Sequence, residues 1–230
     1  MTLIVAHRGA SAAVPPGNTI AAFLEAVAEG ADWVELDARM TADGQVIVHH
    51  DPKLGDGRVI SKILSADLPP WVPTLSESLV ACAPLAVNVE IKPDGPPEFL
   101  SDLIHGVTET LLSLSGSQEF LVTSFDHDIC DRVRKLAPSL STGLLSAERA
   151  TLLADLDRAV GGGHVAINPW YGTVTKAFVD SAHSLGISVN VWTVDEPPSI
   201  RLMADFGVDA IITNSPRQCR NVLVAGANEL

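Results

Sequence analysis

The chain has 230 residues, 47% of them hydrophobic and only 5% aromatic, so Ala, Val, Leu and Ile must supply most of the interior. Acidic residues outnumber basic ones by 28 to 15, which gives a formal net charge of −13. Because no dense stripe of Lys and Arg interrupts this charge, nucleic acid and anionic membrane surfaces are disfavoured as partners. An anionic substrate would need a metal ion, or cations such as Arg8 and Lys92, beside it.

The number of cysteines and the length of the apolar runs indicate the cellular compartment. The three cysteines, at positions 82, 130 and 219, are odd in number and lack metal-type spacing. The first residues do not resemble a secretory signal, and no apolar run approaches the roughly 20 residues of a transmembrane helix. We expect reduced thiols in a cytoplasmic protein with no stable membrane insertion. The sequence does not indicate an oligomeric state.

Short β-branched runs alternate with amphipathic helical patterns along the chain. The predicted strands cover residues 3–5, 33–38, 86–91, 120–124, 141–145, 165–168, 187–194 and 210–213. The predicted helices cover residues 19–29, about 75–82, 98–114, 127–135, 148–159, 176–184 and 199–206, with a last helix from residue 216. Eight strand-then-helix units predict a TIM-type (β/α)8 barrel.

Residues 46–48 form an additional short strand pattern that follows residues 35–40 across a tight turn. Such a turn is too short for a parallel crossover, so this strand should pair antiparallel at the barrel mouth. Residues 52–73, rich in Gly and Pro, then predict a short irregular insertion at the carboxyl-terminal mouth. We interpret residues 1–230 as one domain.

Acidic residues gather near the ends of two predicted strands. Glu35 and Asp37 are two positions apart, so a strand points both side chains to one face, and Glu90 and Lys92 repeat the spacing. Three carboxylates with no cysteine nearby are typical of a hard-cation site for Mg²⁺ or Ca²⁺. The alternative is that Glu35 or Glu90 forms a structural ion pair with Lys92 or Arg8.

Histidines follow two strand patterns in the same way. His7 and His50 are candidates for general acid and base, because cleavage of a phosphodiester requires one group to take a proton and another to give one. A lone histidine at a strand end is more often structural, but two beside an acidic cluster favour catalysis. His49 and His50 must face opposite sides of a regular strand, so only one of them can face the site.

Further polar and aromatic residues end the later strands. Ser124 and Trp192 could line the mouth, with the Trp192 ring as an apolar wall for an alcohol or, more simply, as a core residue. Just past strand ends, Asp126, Asp195 and Asn214 have helix capping as their ordinary role.

Together, these motifs resemble the glycerophosphodiester phosphodiesterase family in order and spacing, over essentially the whole chain. The resemblance rests on Ala6-His7-Arg8-Gly9, Asn18-Thr19, Glu35-Leu36-Asp37, His50-Asp51, Glu90-Ile91-Lys92, Ser124-Phe125, Trp192-Thr193-Val194 and Gly207-Val208-Asp209.

The resemblance implies a role for each matching residue. It implies a divalent cation on Glu35, Asp37 and Glu90, acid and base roles for His7 and His50 rather than His49, and a phosphate held by Arg8 and Lys92. The implied reaction hydrolyses a glycerophosphodiester, a small soluble substrate, to an alcohol and sn-glycerol 3-phosphate. The short insertion is similar to that of small bacterial cytoplasmic members.

Two positions depart from the family pattern. Gly17 stands where the family usually has Glu, and Asn214 where it often has Asp. Two alternatives stay open beside hydrolysis of glycerophosphodiesters. One is phospholipase D-like cleavage of lysophospholipids or sphingolipids, and the other is binding of a phosphate ester without turnover.

Overall fold

The structure, a computed structural model, describes residues 2–93, 95–114 and 116–227. Eight parallel strands form a closed barrel, because the first strand pairs with both the second and the last. These strands are β1 (Leu3–His7), β2 (Trp33–Met40), β4 (Ala86–Ile91), β5 (Phe120–Ser124), β6 (Ser141–Ser146), β7 (Ala166–Pro169), β8 (Ser188–Val191) and β9 (Ala210–Thr213). The prediction of a TIM-type barrel is confirmed.

A helix follows each barrel strand and packs on the outside of the barrel. The helices are α1 (Ile20–Ala28), α2 (Leu75–Cys82), α3 (Pro97–Leu114), α4 (His127–Leu136), α5 (Leu152–Gly162), α6 (Lys176–Ser184), α7 (Pro197–Phe206) and α8 (Pro216–Ala227). Most of the buried apolar side chains lie in two clusters between strands and helices. Among the described residues, no helix has the length and apolar character needed to cross a membrane.

Strand β3 (Val46–Val48) pairs antiparallel with the end of β2, as the tight turn predicts. Ile47 on β3 packs with Leu54, Ile60 and Val72, so residues 52–73 are held against the mouth by a small apolar cluster of their own. Burying a side chain of this size contributes about 1.5–3 kcal/mol. The segment contains short turns of 3₁₀ helix, at Ile60–Lys62 and Ser65–Asp67, and an isolated antiparallel bridge between Lys53 and Val59.

Several predicted boundaries differ from the structure, and two of the larger differences are at β8 and α5. Strand β8 ends at Val191 rather than at residue 194, and beyond it Trp192 forms only an isolated parallel bridge with Trp170. Helix α5 begins at Leu152 rather than at residue 148. Asp155, in the first turn of α5, accepts hydrogen bonds from Ser146 Oγ and Thr151 Oγ1 and so ties the start of the helix to the end of β6.

The barrel interior is packed unevenly along its axis. At the amino-terminal end, strands β6 to β9 contribute the small residues Ser141, Ala166, Ser188 and Ala210, and a cavity of about 400 Å³ lies there. At the carboxyl-terminal end, charged side chains occupy the interior instead, and these form the candidate site.

Candidate active site

The strand register brings the predicted polar residues to one end of the barrel. His7 on β1 is in register with Glu35 on β2, and Asp37 on β2 is in register with Glu90 on β4. Neighbouring parallel strands thus point these side chains into the same part of the interior. A cavity of about 130 Å³ opens there, lined by His7, Arg8, Glu35, His50, Asn88, Glu90, Lys92, Thr123, Phe125, Leu145, Trp192, Thr193 and Ile212.

Three buried carboxylates form the centre of the site. One oxygen from each of Glu35, Asp37 and Glu90 lies within 4.8 Å of the others, which is close enough for a shared metal ion. Burial raises the pKa of Glu35 well above its usual value, and the charges of Asp37 and Glu90 raise it further. Burial and Asp37 raise the pKa of Glu90 to about 7. Without a metal ion, Glu35 and Glu90 therefore keep a proton more readily than free carboxyl groups do, and a metal would have to displace it.

Two cations adjoin the carboxylates. Lys92 Nζ lies 2.8 Å from Asp37 Oδ1 and donates to Glu90 Oε1 at 2.5 Å, and Arg8 Nε lies 3.4 Å from Asp37 Oδ2. Burial alone would raise the pKa of Asp37, but Lys92 and Arg8 outweigh it and lower that pKa. Of the ion pairs weighed as the alternative to a metal site, Glu90–Lys92 is present, and Lys92 and Arg8 also pair with Asp37. These cations therefore contact carboxylates that could bind a metal.

Arg8 is held by its backbone as well. Its φ of 58° lies in the left-handed region, and its N–H donates to Glu35 Oε2 at 3.0 Å. A non-glycine residue in this region is strained and persists only where its surroundings hold it. The turn after β1 thus places the Arg8 guanidinium beside the acids.

His7 is partly exposed, and its two ring nitrogens have different surroundings. Nδ1 lies 2.7 Å from Asn214 Oδ1, whereas Nε2 faces the acids at 4.0 Å from Glu35 Oε2. Burial, and then the charge of Arg8, lowers the pKa of His7 to about 4. The ring is therefore neutral near pH 7.

His50 lines the same cavity from the other side, with its Nδ1 2.8 Å from Asp51 Oδ1. Burial lowers its pKa and Arg8 lowers it further, while Asp37 acts in the opposite direction. The adjacent His49 packs against Trp71 instead, with ring centroids 5.9 Å apart. The two imidazoles thus face different surroundings, as the alternation along an extended chain requires.

Two residues at the site were not among the predicted site residues. Arg39 Nε donates to the backbone carbonyls of His49 and His50, at 3.1 and 2.9 Å, and so holds the segment that carries His50. Asn18 Nδ2 donates to Asp37 Oδ2 at 2.6 Å. The two-residue period of β2 could have placed Arg39 on the Asp37 face, but nothing local in the sequence points Asn18 at Asp37.

The structure does not bring Ser124 into this cavity. Its hydroxyl is fully buried and donates to the carbonyl of Ile91 at 2.8 Å, while the preceding residue, Thr123, lines the cavity. Trp192 does line the mouth, with its Nε1–H donating to Asn168 O and its ring edge-on to Phe125 at 5.5 Å. Successive residues of a strand face opposite sides, so on β5 Thr123 faces the cavity and Ser124 faces away from it.

Of the three residues predicted to cap helices, Asp126, Asp195 and Asn214, one does so in the structure. Asp126 caps α4 by accepting from the N–H of Asp128. Asp195 instead accepts from Thr213 Oγ1 and from the backbone and side-chain amides of Asn214, and Asn214 in turn contacts His7. The capping prediction was therefore wrong for Asp195 and Asn214, because both side chains are used between strand ends rather than at their own helices.

Gly17, where the family usually has Glu, has a backbone conformation that favours glycine. Its φ is +80°, and a Cβ there would meet Arg8 O, Arg8 Cβ and Ser11 Cβ at 2.9 Å. The loop after β1 therefore packs directly on Arg8, and a larger side chain at position 17 would require a different loop path.

The closed barrel, with acids, cations and imidazoles at its carboxyl-terminal mouth, has the architecture of a TIM-barrel enzyme. A sequence profile of the glycerophosphoryl diester phosphodiesterase family matches residues 7–218. The chain belongs to this family, whose members are phosphoric diester hydrolases.

Individual relatives agree with this assignment. A glycerophosphodiester phosphodiesterase of Caldanaerobacter subterraneus subsp. tengcongensis is 32% identical, and the alignment covers 98% of this chain and 99% of that protein. A putative glycerophosphoryl diester phosphodiesterase from Silicibacter pomeroyi superposes with a TM-score of 0.91 at 26% identity, over 99% and 94% of the two chains.

A more distant neighbour supports the fold. An Oleispira antarctica phosphodiesterase, solved with its product sn-glycerol-3-phosphate, has a TM-score of 0.88 at 24% identity, over 97% of each chain. At this identity the similarity establishes the fold.

Proposed function

We propose that this chain hydrolyses small glycerophosphodiesters to an alcohol and sn-glycerol 3-phosphate with the help of a divalent cation. The observation that carries the proposal is the convergence of Glu35, Asp37 and Glu90 beside two cations and two imidazoles. Family membership supplies the substrate class.

We extend the proposal to a single cytoplasmic domain over residues 1–230, with a short insertion at about 52–73. The three free, buried cysteines support the compartment.

The donor set of the carboxylates fits a hard cation. Three carboxylate oxygens and no sulfur ligand are what Mg²⁺ or Ca²⁺ prefers, and Glu35, Asp37 and Glu90 would hold it. When bound, the cation would neutralise charge on a phosphoryl oxygen. Lys92 and Arg8, which both lie beside Asp37, would hold the second non-bridging oxygen of the same diester.

His7 and His50 would move the protons. One imidazole takes a proton from the attacking oxygen as the new P–O bond forms, and the other gives a proton to the alcohol oxygen as its P–O bond breaks. The attacking oxygen belongs to water, or to the neighbouring glycerol hydroxyl through a cyclic phosphate that water then opens. Trp192 and Phe125 would form the apolar wall against the organic part of the substrate.

The test is release of glycerol 3-phosphate from glycerophosphocholine and glycerophosphoethanolamine by wild type, His50→Ala and the matched control His49→Ala. Loss of one proton-transfer group should lower turnover by about 10²- to 10⁴-fold. His49 lies outside the cavity against Trp71, so its variant should keep wild-type turnover. Turnover unchanged in His50→Ala would reject the mechanism. Tight substrate binding with no turnover in any divalent metal would favour a non-catalytic binder.

A lysophospholipid or sphingolipid diester is the second candidate substrate. Phe125 and Trp170, directly after β5 and β7, are 44% and 43% exposed and present aromatic surface near the mouth. Such rings suit contact with an acyl chain. Comparing turnover of lysophosphatidylcholine with that of glycerophosphocholine decides between the two, because the main proposal predicts faster turnover of the deacylated substrate.

A further inference from the structure

A chain of hydrogen bonds leads from His7 away from the cavity, through Asn214 to Asp195. Asn214 Oδ1 lies 2.7 Å from His7 Nδ1, and Asn214 Nδ2 donates to Asp195 Oδ2 at 2.6 Å. The backbone N–H of Asn214 donates to the other carboxylate oxygen of Asp195, at 2.8 Å. Both ends of the Asn214 amide are thus engaged, one with the ring and one with the acid.

The surroundings of the amide fix its orientation. An ionised carboxylate only accepts hydrogen bonds, so the amide group of Asn214 that faces Asp195 must be the NH₂. Its carbonyl oxygen therefore faces His7, and Ser11 Oγ donates to the same oxygen at 2.8 Å. Thr213 Oγ1 donates to Asp195 at 2.8 Å and helps to hold the carboxylate.

This orientation determines where the ring of His7 carries its proton. A carbonyl oxygen only accepts, so His7 Nδ1 must be the protonated nitrogen, and Nε2 of the neutral ring then has a free lone pair. Nε2 is the nitrogen that faces the carboxylates and the cavity. An asparagine amide suits this link because its carbonyl oxygen accepts from the N–H of His7 while its NH₂ group donates to the carboxylate of Asp195.

We propose that Asn214 and Asp195 are positioning residues that hold His7 in its Nδ1-protonated tautomer, so that Nε2 is the atom that accepts a proton. The inference rests on the proposed function and deepens it. In the reaction, the O–H proton of the nucleophile moves to Nε2, and its electron pair remains on the oxygen that bonds to phosphorus. The ordinary alternative is that the Asn214–Asp195 pair only joins the ends of β8 and β9.

The first test needs neither a variant nor a substrate. The ¹⁵N chemical shifts of His7 in the Mg²⁺-saturated chain, read from long-range ¹H–¹⁵N NMR spectra, distinguish the two neutral tautomers. We expect the Nδ1-protonated form. A ring protonated on Nε2 would overturn the proposal even if the chain hydrolyses its substrate. An inactive chain with the expected tautomer would instead reject the proposed function and leave the positioning of the ring intact.

Variants then separate positioning from structural support. Asn214→Leu should lose the fixed tautomer and lower kcat by about 10- to 100-fold with little change in KM. Asn214→Asp keeps an acceptor for Nδ1 and should retain the tautomer, but it loses the NH₂ donor to Asp195 and should recover only part of the turnover. The control is Gln218→Ala, which removes a contact to the backbone carbonyl of Asp195 only. Equal kcat losses in Asn214→Leu and Gln218→Ala, with the tautomer unchanged in both, would contradict the proposal.

Discussion

Lys92 is the residue on which the charge balance of the site depends. It is buried, and its ammonium contacts both Asp37 and Glu90, so burial, which would lower its pKa, is outweighed by the two acids that raise it. The same cation stabilises the folded chain and, in the proposed function, binds phosphate. The carboxylates that form ion pairs with Lys92 are therefore among those that would bind a metal in the proposed function.

Replacing Lys92 with Met should therefore destabilise the metal-free chain. Removing one partner from a buried ion pair typically costs about 3–5 kcal/mol, because the remaining charges are left uncompensated. Urea unfolding measures this, and a saturating divalent cation should restore part of the lost free energy of unfolding. Lys176→Met is the control, since its pair with Asp180 is exposed and worth under about 1 kcal/mol. Equal losses in the two variants would contradict the assigned role.

The affinity for a divalent metal should depend on pH through Glu90. Its pKa is raised to about 7, so below pH 7 a proton occupies a carboxylate that the metal needs. Acidification must therefore weaken binding, and the Mg²⁺ affinity measured by calorimetry should rise by about tenfold from pH 6 to pH 8. An affinity that does not change over this range would show that Glu90 does not exchange its proton for the metal.

At the level of elements, strand periodicity predicted most of the site. The two-residue period placed Glu35 with Asp37 and Glu90 with Lys92, and the structure puts each pair inside the barrel. Contacts between distant loops could not be predicted in this way. Asn214 reaches His7 across 207 positions because β1 and β9 become neighbours only when the barrel closes.

The loop after β1 contains the clearest test at this scale. Gly17→Ala introduces a Cβ at φ +80° against the backbone of Arg8, and we expect a loss of about 1–3 kcal/mol in stability and lower turnover as Arg8 shifts. Gly44→Ala is the matched control, because its φ is +84° but the added Cβ meets nothing within 4 Å. It should cost only about 1 kcal/mol and leave turnover unchanged. Unaltered turnover in Gly17→Ala would contradict the supporting role of this loop.

For the whole molecule, the net charge of −13 opposes the binding of an anionic diester, since an acidic surface repels it. The barrel resolves this locally by bringing Arg8 and Lys92 to the mouth. Alternation of strands and helices was enough to predict the barrel, because eight such units leave few other ways to bury their apolar faces. The three carboxylates come together because β2 and β4 lie side by side, with Asp37 in register with Glu90.

The most direct measurement of the central claim is glycerol 3-phosphate release from glycerophosphocholine by the full chain before and after chelation. We predict that removal of the metal abolishes turnover and that added Mg²⁺ or Ca²⁺ restores it. Glu90→Gln should fail to recover, whereas the control Glu98→Gln, on the outer helix α3, should recover as wild type does. Full turnover in the chelated chain would contradict a metal-dependent phosphodiesterase.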